Sequence, residues 1–192
     1  MAETTRSFIA IALTEQLHKE LATLQQRLKV SNADVKWVEP NNIHLTLKFL
    51  GNITDEQIEA VKDILKNSCA KFKPYSMHLK GMGAFPSLSS PRVIWVGMDE
   101  GSVQAQQIYD AIEESLSKNG FRKEERKFSA HLTLGRVRSS KNKQRLIEAI
   151  EKEKCFSSSE KLEILEIVLF KSTLTPSGST YEPLLKANLA KT

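Results

Sequence analysis

The tetrapeptide HLTL occurs twice in this chain, starting at His44 and again 87 residues later at His131. Each copy lies in a run that alternates apolar and polar residues, IHLTLKF at 43–49 and AHLTLGR at 130–136. Strict alternation is the pattern of a strand with one face buried and the other open. A strand that recurs with its polar residues intact points to a repeated fold unit, which narrows the possible architectures sharply.

The flanking sequence extends the repeat. FIAIAL at 8–13 reads as a buried strand, and the segment 14–29 places Leu17, Leu21, Leu24 and Leu28 at helical spacing behind Thr14 as N-cap. In the second half RVIWVGM at 92–98 reads as a strand, and 102–118 as a helix with a stripe of Val103, Ile108, Ile112 and Leu116. Phe8 precedes His44 by 36 residues and Val93 precedes His131 by 38. Downstream, 54–72 reads as a helix opened by a capping box from Thr54 to Gln57, and 140–156 as its counterpart. Cys69 follows His44 by 25 residues and Cys155 follows His131 by 24. Each half ends in an extended stretch, YSMHLKGMGAF and LEILEIVLFKSTL. Both halves thus read β-α-β-α-β, over approximately 8–85 and 92–174. The expected fold class is α+β: two pseudo-symmetric lobes, each a small, mainly antiparallel sheet with helices on its outer face, enclosing a central cleft. Residues 1–192 form one bilobal domain in this reading, with FPSLSSP at 85–91 as the crossover between lobes.

Composition agrees with a folded domain. Of the 192 residues 40% are hydrophobic and 27% charged, so disorder is not the expectation. No apolar run is long enough to cross a bilayer, and the N-terminus lacks the pattern of a signal peptide. The expected location is cytoplasmic. The two cysteines have no metal-ligand spacing and are expected to pack as small apolar residues. A net charge of +5 is compatible with an anionic ligand and equally with surplus surface lysine.

In a strand His44 and Thr46 share one face, as do His131 and Thr133, while the leucines between them turn to the helices. If the lobes are related by a pseudo-twofold axis, the two polar pairs face each other across the cleft. Two imidazoles near their titration point can divide the work of acid and base, and two hydroxyls can donate to phosphoryl oxygens. No carboxylate stands in metal-ligand spacing with these histidines. Lys48 shares the His44 face by parity and is expected at the cleft rim. Strict alternation places Arg136 on the leucine face, unless Gly135 marks a bulge that turns it back. His18 and His78 have no polar repeat partner and read as structural.

On these residues the chain resembles the two-histidine phosphoesterase superfamily, and within it the RNA 2',3'-cyclic phosphodiesterases first described as bacterial 2'-5' RNA ligases. The resemblance runs through FIAIAL, VKWVEPNNIHLTLKFLG, GMGAFPSLSSPRVIWVGM, KFSAHLTLGRVR and LFKSTLTPSGSTYEPL, nearly the whole chain. It implies hydrolysis of RNA 2',3'-cyclic phosphate ends to 2'-phosphomonoesters. His44 would act as proton donor and His131 as proton acceptor, with Thr46, Thr133 and Arg136 as phosphate ligands. It implies no cofactor and no metal. The partner would be an RNA or nucleotide with a cyclic phosphate end, with no membrane or protein partner, and the chain would act as a monomer. Two alternatives remain open at this point: 2'-5' ligation at the same site, and a non-catalytic RNA- or nucleotide-binding module.

Overall fold

The computed structural model describes residues 3–176 and 178–190. Ser177, inside the TPSGSTYEP stretch, lies outside the described residues. The chain runs β1 (Thr4–Ile11), α1 (Glu15–Lys29), β2 (Val35–Trp37), β3 (Leu45–Thr54), α2 (Asp55–Cys69), β4 (Tyr75–Ser87), β5 (Ser90–Glu100), α3 (Ser102–Lys118), β6 (Leu132–Val137), α4 (Lys143–Lys152), β7 (Leu162–Ile164), β8 (Glu166–Thr175) and β9 (Gly178–Asn188). Among the described residues every strand pairing is antiparallel.

The helices form where the leucine spacing places them. The Thr14 side chain accepts from the Leu17 amide at the start of α1, and Thr54 and Gln57 make the reciprocal capping box of α2. Leu17, Leu21, Leu24 and Leu28 are all sealed from solvent, each burial contributing roughly 2 kcal/mol. In α3 the apolar stripe is Ala105, Ile108, Ile112 and Leu116, whereas Val103 is 64% exposed. Five residues before Ile108, Val103 is rotated about 140° off that face. Cys69 is buried and Cys155, in the turns after α4, is exposed, contrary to the expectation of two packed thiols. No described helix is long and apolar enough to cross a membrane.

The strand order is β7-β4-β5-β6-β3-β1-β8-β9, with β2 added beside β6. The two HLTL strands therefore lie at the centre, and they meet through one residue pair, Leu45 opposite Leu132. One lobe has β3, β1, β8 and β9, and the other has β6, β5, β4 and β7. Each half of the sequence thus places its last long strand in the lobe of the other half. FPSLSSP is not a crossover but the tip of the β4–β5 hairpin, within one lobe. The chain passes between lobes through α2, which links β3 to β4, and again at Leu165, between β7 and β8. The helices pair across the repeat in the same way, α1 beside α4 and α2 beside α3.

Both motif strands carry a bulge at the same place in the repeat. Ile9 faces Lys48 and Ala10 faces Thr46, which leaves Leu47 unpaired. Ile94 faces Gly135 and Trp95 faces Thr133, which leaves Leu134 unpaired. A bulge puts two successive side chains on one side and reverses the alternation beyond it. Lys48 therefore turns to the helix side and not to the cleft rim. It is only 6% exposed, and its Nζ donates to Glu113 Oε1 and to the Arg122 carbonyl oxygen, both at 2.8 Å. The same Glu113 oxygen accepts from the Glu124 amide at 2.6 Å. At the matching position Gly135 leaves room for β2: a Cβ there would lie 2.7 Å from Val35 Cγ1 and 3.0 Å from the Trp37 ring.

The buried ion pair ties β3 to α3 and to the segment that leads into the second motif. Removing one partner leaves an uncompensated charge in the interior. Lys48→Met is expected to lower stability by about 3–5 kcal/mol in urea unfolding. Adding Glu113→Met should recover a substantial part of that loss, and a single substitution with wild-type stability would show the pair to be solvated.

Candidate active site

Around the Leu45–Leu132 pair the antiparallel register orders the motif residues. One step to either side, His44 falls opposite Thr133 and Thr46 opposite His131. The four polar side chains ring a pseudo-twofold axis on the face away from the helices, each histidine beside the threonine of the other motif. All four are half-buried, between sealed leucines at 45, 47, 132 and 134.

Each imidazole is held by a backbone carbonyl two residues upstream. His44 Nδ1 lies 2.8 Å from the Asn42 oxygen and His131 Nδ1 2.7 Å from the Ser129 oxygen. A carbonyl only accepts, so each Nδ1 carries the proton and each Nε2 is the nitrogen left for proton transfer. Among the described residues neither Nε2 and neither threonine hydroxyl has a hydrogen-bond partner. Behind His44, His18 of α1 donates from Nε2 to the Ile43 oxygen at 3.1 Å and fixes the strand entry. Gln25 of α1 donates to the Val38 and Leu134 oxygens at 2.8 and 2.9 Å, which braces the second motif strand. His78 bridges Asp99 and the Ser158 oxygen, in contacts separate from either motif. Its structural reading stands, as does that of His18.

The bulge at Leu134 decides the place of Arg136. Arg136 pairs with Val93 as Thr133 pairs with Trp95, so it shares the face of His131 and Thr133. It is exposed and has no ion pair among the described residues. Its repeat equivalent in the other lobe is Phe49, whose strand partner is Phe8. The site is therefore symmetric in its histidines and threonines and asymmetric around them.

That asymmetry reaches the imidazoles. Phe8 stacks on His44 at 4.7 Å between ring centroids, and Tyr181 meets it edge-on at 5.5 Å. Phe170 lies behind Phe8 at 5.2 Å. His131 has Phe85 edge-on at 5.0 Å, itself against Trp95. Phe8, Phe85, Phe170 and Tyr181 come from strands remote in sequence, and no spacing rule marks them as walls of the site. Burial lowers the pKa of His44 from its ordinary value to about 4; the Asn42 carbonyl opposes this and the nearby His18 adds to it. With no phosphate bound, His44 is neutral at neutral pH. Among the described residues no cluster of three or more His, Cys, Asp or Glu side chains could hold a metal ion.

A histidine whose folded pKa lies below its unfolded value of 6.5 binds its proton more readily in the unfolded chain. The stability tied to neutral His44 is full above pH 6.5 and is lost as pH falls towards 4, by about 3 kcal/mol. Urea unfolding across that window should show a steeper loss for the wild-type chain than for His44→Gln. Parallel profiles would mean that His44 is solvated.

The sequence profile of the LigT-like phosphoesterases matches twice, over residues 11–95 and 96–181. A protein of Methanocaldococcus jannaschii named RNA 2',3'-cyclic phosphodiesterase is 40% identical over 92% of this chain and 96% of its own length. A Thermotoga maritima protein of the same name is 34% identical over 93% and 92%. Among solved structures, TT0787 of Thermus thermophilus has a TM-score of 0.79 at 21% identity, over 96% of this chain and 97% of its own. E. coli LigT complexed with 3'-AMP has a TM-score of 0.77, also at 21% identity, over 98% and 100%. These structures agree in fold, and the sequence matches span the whole bilobal unit. The double profile match and the relatives above 30% identity place this chain in the family of LigT-like phosphoesterases.

Proposed function

We propose that this chain is an RNA 2',3'-cyclic phosphodiesterase that hydrolyses the cyclic phosphate with its two motif histidines as acid and base. The observation that carries this reading is the ring of His44, Thr133, Thr46 and His131 about one strand pair. It is joined by the name shared by relatives that match nearly the full chain. A binding module would need neither two free imidazole nitrogens nor their opposed placement.

Water attacks phosphorus while His131 Nε2 takes its proton. The P–O bond to the ribose 3' oxygen breaks, and His44 Nε2 gives that oxygen a proton. Thr46, Thr133 and Arg136 hold the non-bridging oxygens, where charge concentrates in the transition state. In-line displacement requires nucleophile and leaving oxygen on opposite sides of phosphorus, and the two lobes supply those sides. The apolar wall of His44 makes it a reluctant cation in the empty site. An arriving phosphoryl anion offsets that desolvation and draws a proton onto it, so charging the acid is coupled to binding.

His44→Ala and His131→Ala should each lower kcat by roughly 10²–10⁴-fold. The pH profile of kcat/KM should be bell-shaped with one limb near pH 4, the value of unliganded His44. In kcat, which reports the complex, that limb should move upward. A limb that stays in place would separate His44 from the bound phosphate.

Incubation of the purified protein with a 2',3'-cyclic mononucleotide in EDTA, followed by phosphorus NMR, tests the reaction itself. The expected product is the 2'-phosphomonoester, formed at an undiminished rate with chelator present. A 3'-phosphate would reverse the roles of the histidines, and absence of turnover would remove the reading.

A further inference from the structure

Next to the wall of His44 lies a groove of about 130 Å³, bounded by Arg6, Phe8, Phe49, Leu174 and Tyr181. It shares Phe8 and Tyr181 with the wall of His44, so the groove adjoins the site. Phe49 and Leu174 are 61% and 69% exposed, two of the few large apolar side chains left in solvent. Arg6 is exposed and has no ion pair among the described residues. At the matching position in the other lobe Arg136 stands in place of Phe49. An exposed aromatic ring beside a free guanidinium suits a ligand with a planar apolar group next to an anion. A nucleotide is such a ligand: bases stack on aromatic faces whatever their sequence, and arginine takes the phosphate.

The proposed reaction fixes which nucleotide can reach it. The departing oxygen belongs to the ribose and faces His44, so the ribose lies on the lobe of β1, β3, β8 and β9. The 5' oxygen of that ribose carries the rest of an RNA chain. We infer that the groove of Arg6, Phe49 and Leu174 is a subsite for the nucleotide immediately 5' of the cyclic phosphate. Its base rests on Phe49 and Leu174, and the connecting phosphodiester meets Arg6. This rests on the phosphodiesterase reading above and adds that the enzyme is built for an RNA end rather than a cyclic mononucleotide.

The test compares kcat/KM for a 2',3'-cyclic mononucleotide with that for a dinucleotide ending in the same cyclic phosphate. For the wild-type chain the dinucleotide should be favoured by roughly tenfold or more, the usual effect of one stacked base. Phe49→Ala and Arg6→Gln should each bring the ratio towards one, whereas Phe49→Trp should keep it. The share due to Arg6 should shrink with added salt. A wild-type ratio near one, or a ratio untouched by both substitutions, overturns the subsite and leaves the phosphodiesterase reading intact. Hydrolysis of neither substrate overturns that reading, and the subsite with it.

Discussion

One strand pair, Leu45 opposite Leu132, holds the two halves of the site together. Both leucines are sealed from solvent among the helices, and their burial directs the flanking histidines and threonines to the other face. The pair lies at the point where two lobe sheets join, so any change in register would move all four polar side chains together. A slip of one residue on either strand would turn its histidine and threonine into the core. The exchange of strands between halves resists such a slip. Neither lobe can be completed by its own half of the sequence, so the two halves cannot separate without unpairing β1 from β8 and β4 from β5 and β7.

Duplication gave the site two of everything, and a hydrolytic reaction needs the two copies to differ. The difference comes from the second layer of residues rather than from the motif. Phe8, Phe170 and Tyr181 desolvate His44, whereas His131 has Phe85 at its edge. At the position just beyond the bulge one lobe carries Phe49 and the other Arg136. The same backbone device thus presents an aromatic ring to one side of the cleft and a cation to the other. That division matches the two parts of a nucleotide, an apolar base and an anionic phosphate.

The bulges also have a cost that the two lobes meet differently. Each forces the residue after the extra leucine onto the helix side. In one lobe that residue is Lys48, a charge that is stable in the interior only because Glu113 and the Arg122 carbonyl receive it. In the other it is Gly135, whose missing side chain admits β2. Both solutions order the chain next to the site. The ion pair holds the segment from Arg122 to Glu124, upstream of His131, and β2 borders the strand of Arg136.

Local patterning by itself determined much of this protein. Period-two alternation located the motif strands, leucines at helical spacing located α1, the capping box from Thr54 to Gln57 located α2, and Thr14 and Thr54 cap those helices as their positions require. The repeat led to two lobes with His44, Thr46, His131 and Thr133 on one face, because a strand's facing depends only on parity within a few residues. What parity could not supply depends on partners far along the chain. Parity alone places Lys48 at the cleft rim, because the bulge that turns it inward is a property of two paired strands. Arg136 depended on the same event. FPSLSSP looked like a crossover because its turn residues announce a reversal without saying which strand lies beyond it. The aromatic wall of His44 draws on β1, β8 and β9, which only the exchanged topology brings together. The tertiary structure therefore decided the neighbours of each histidine, and through desolvation it made two identical motifs chemically unequal.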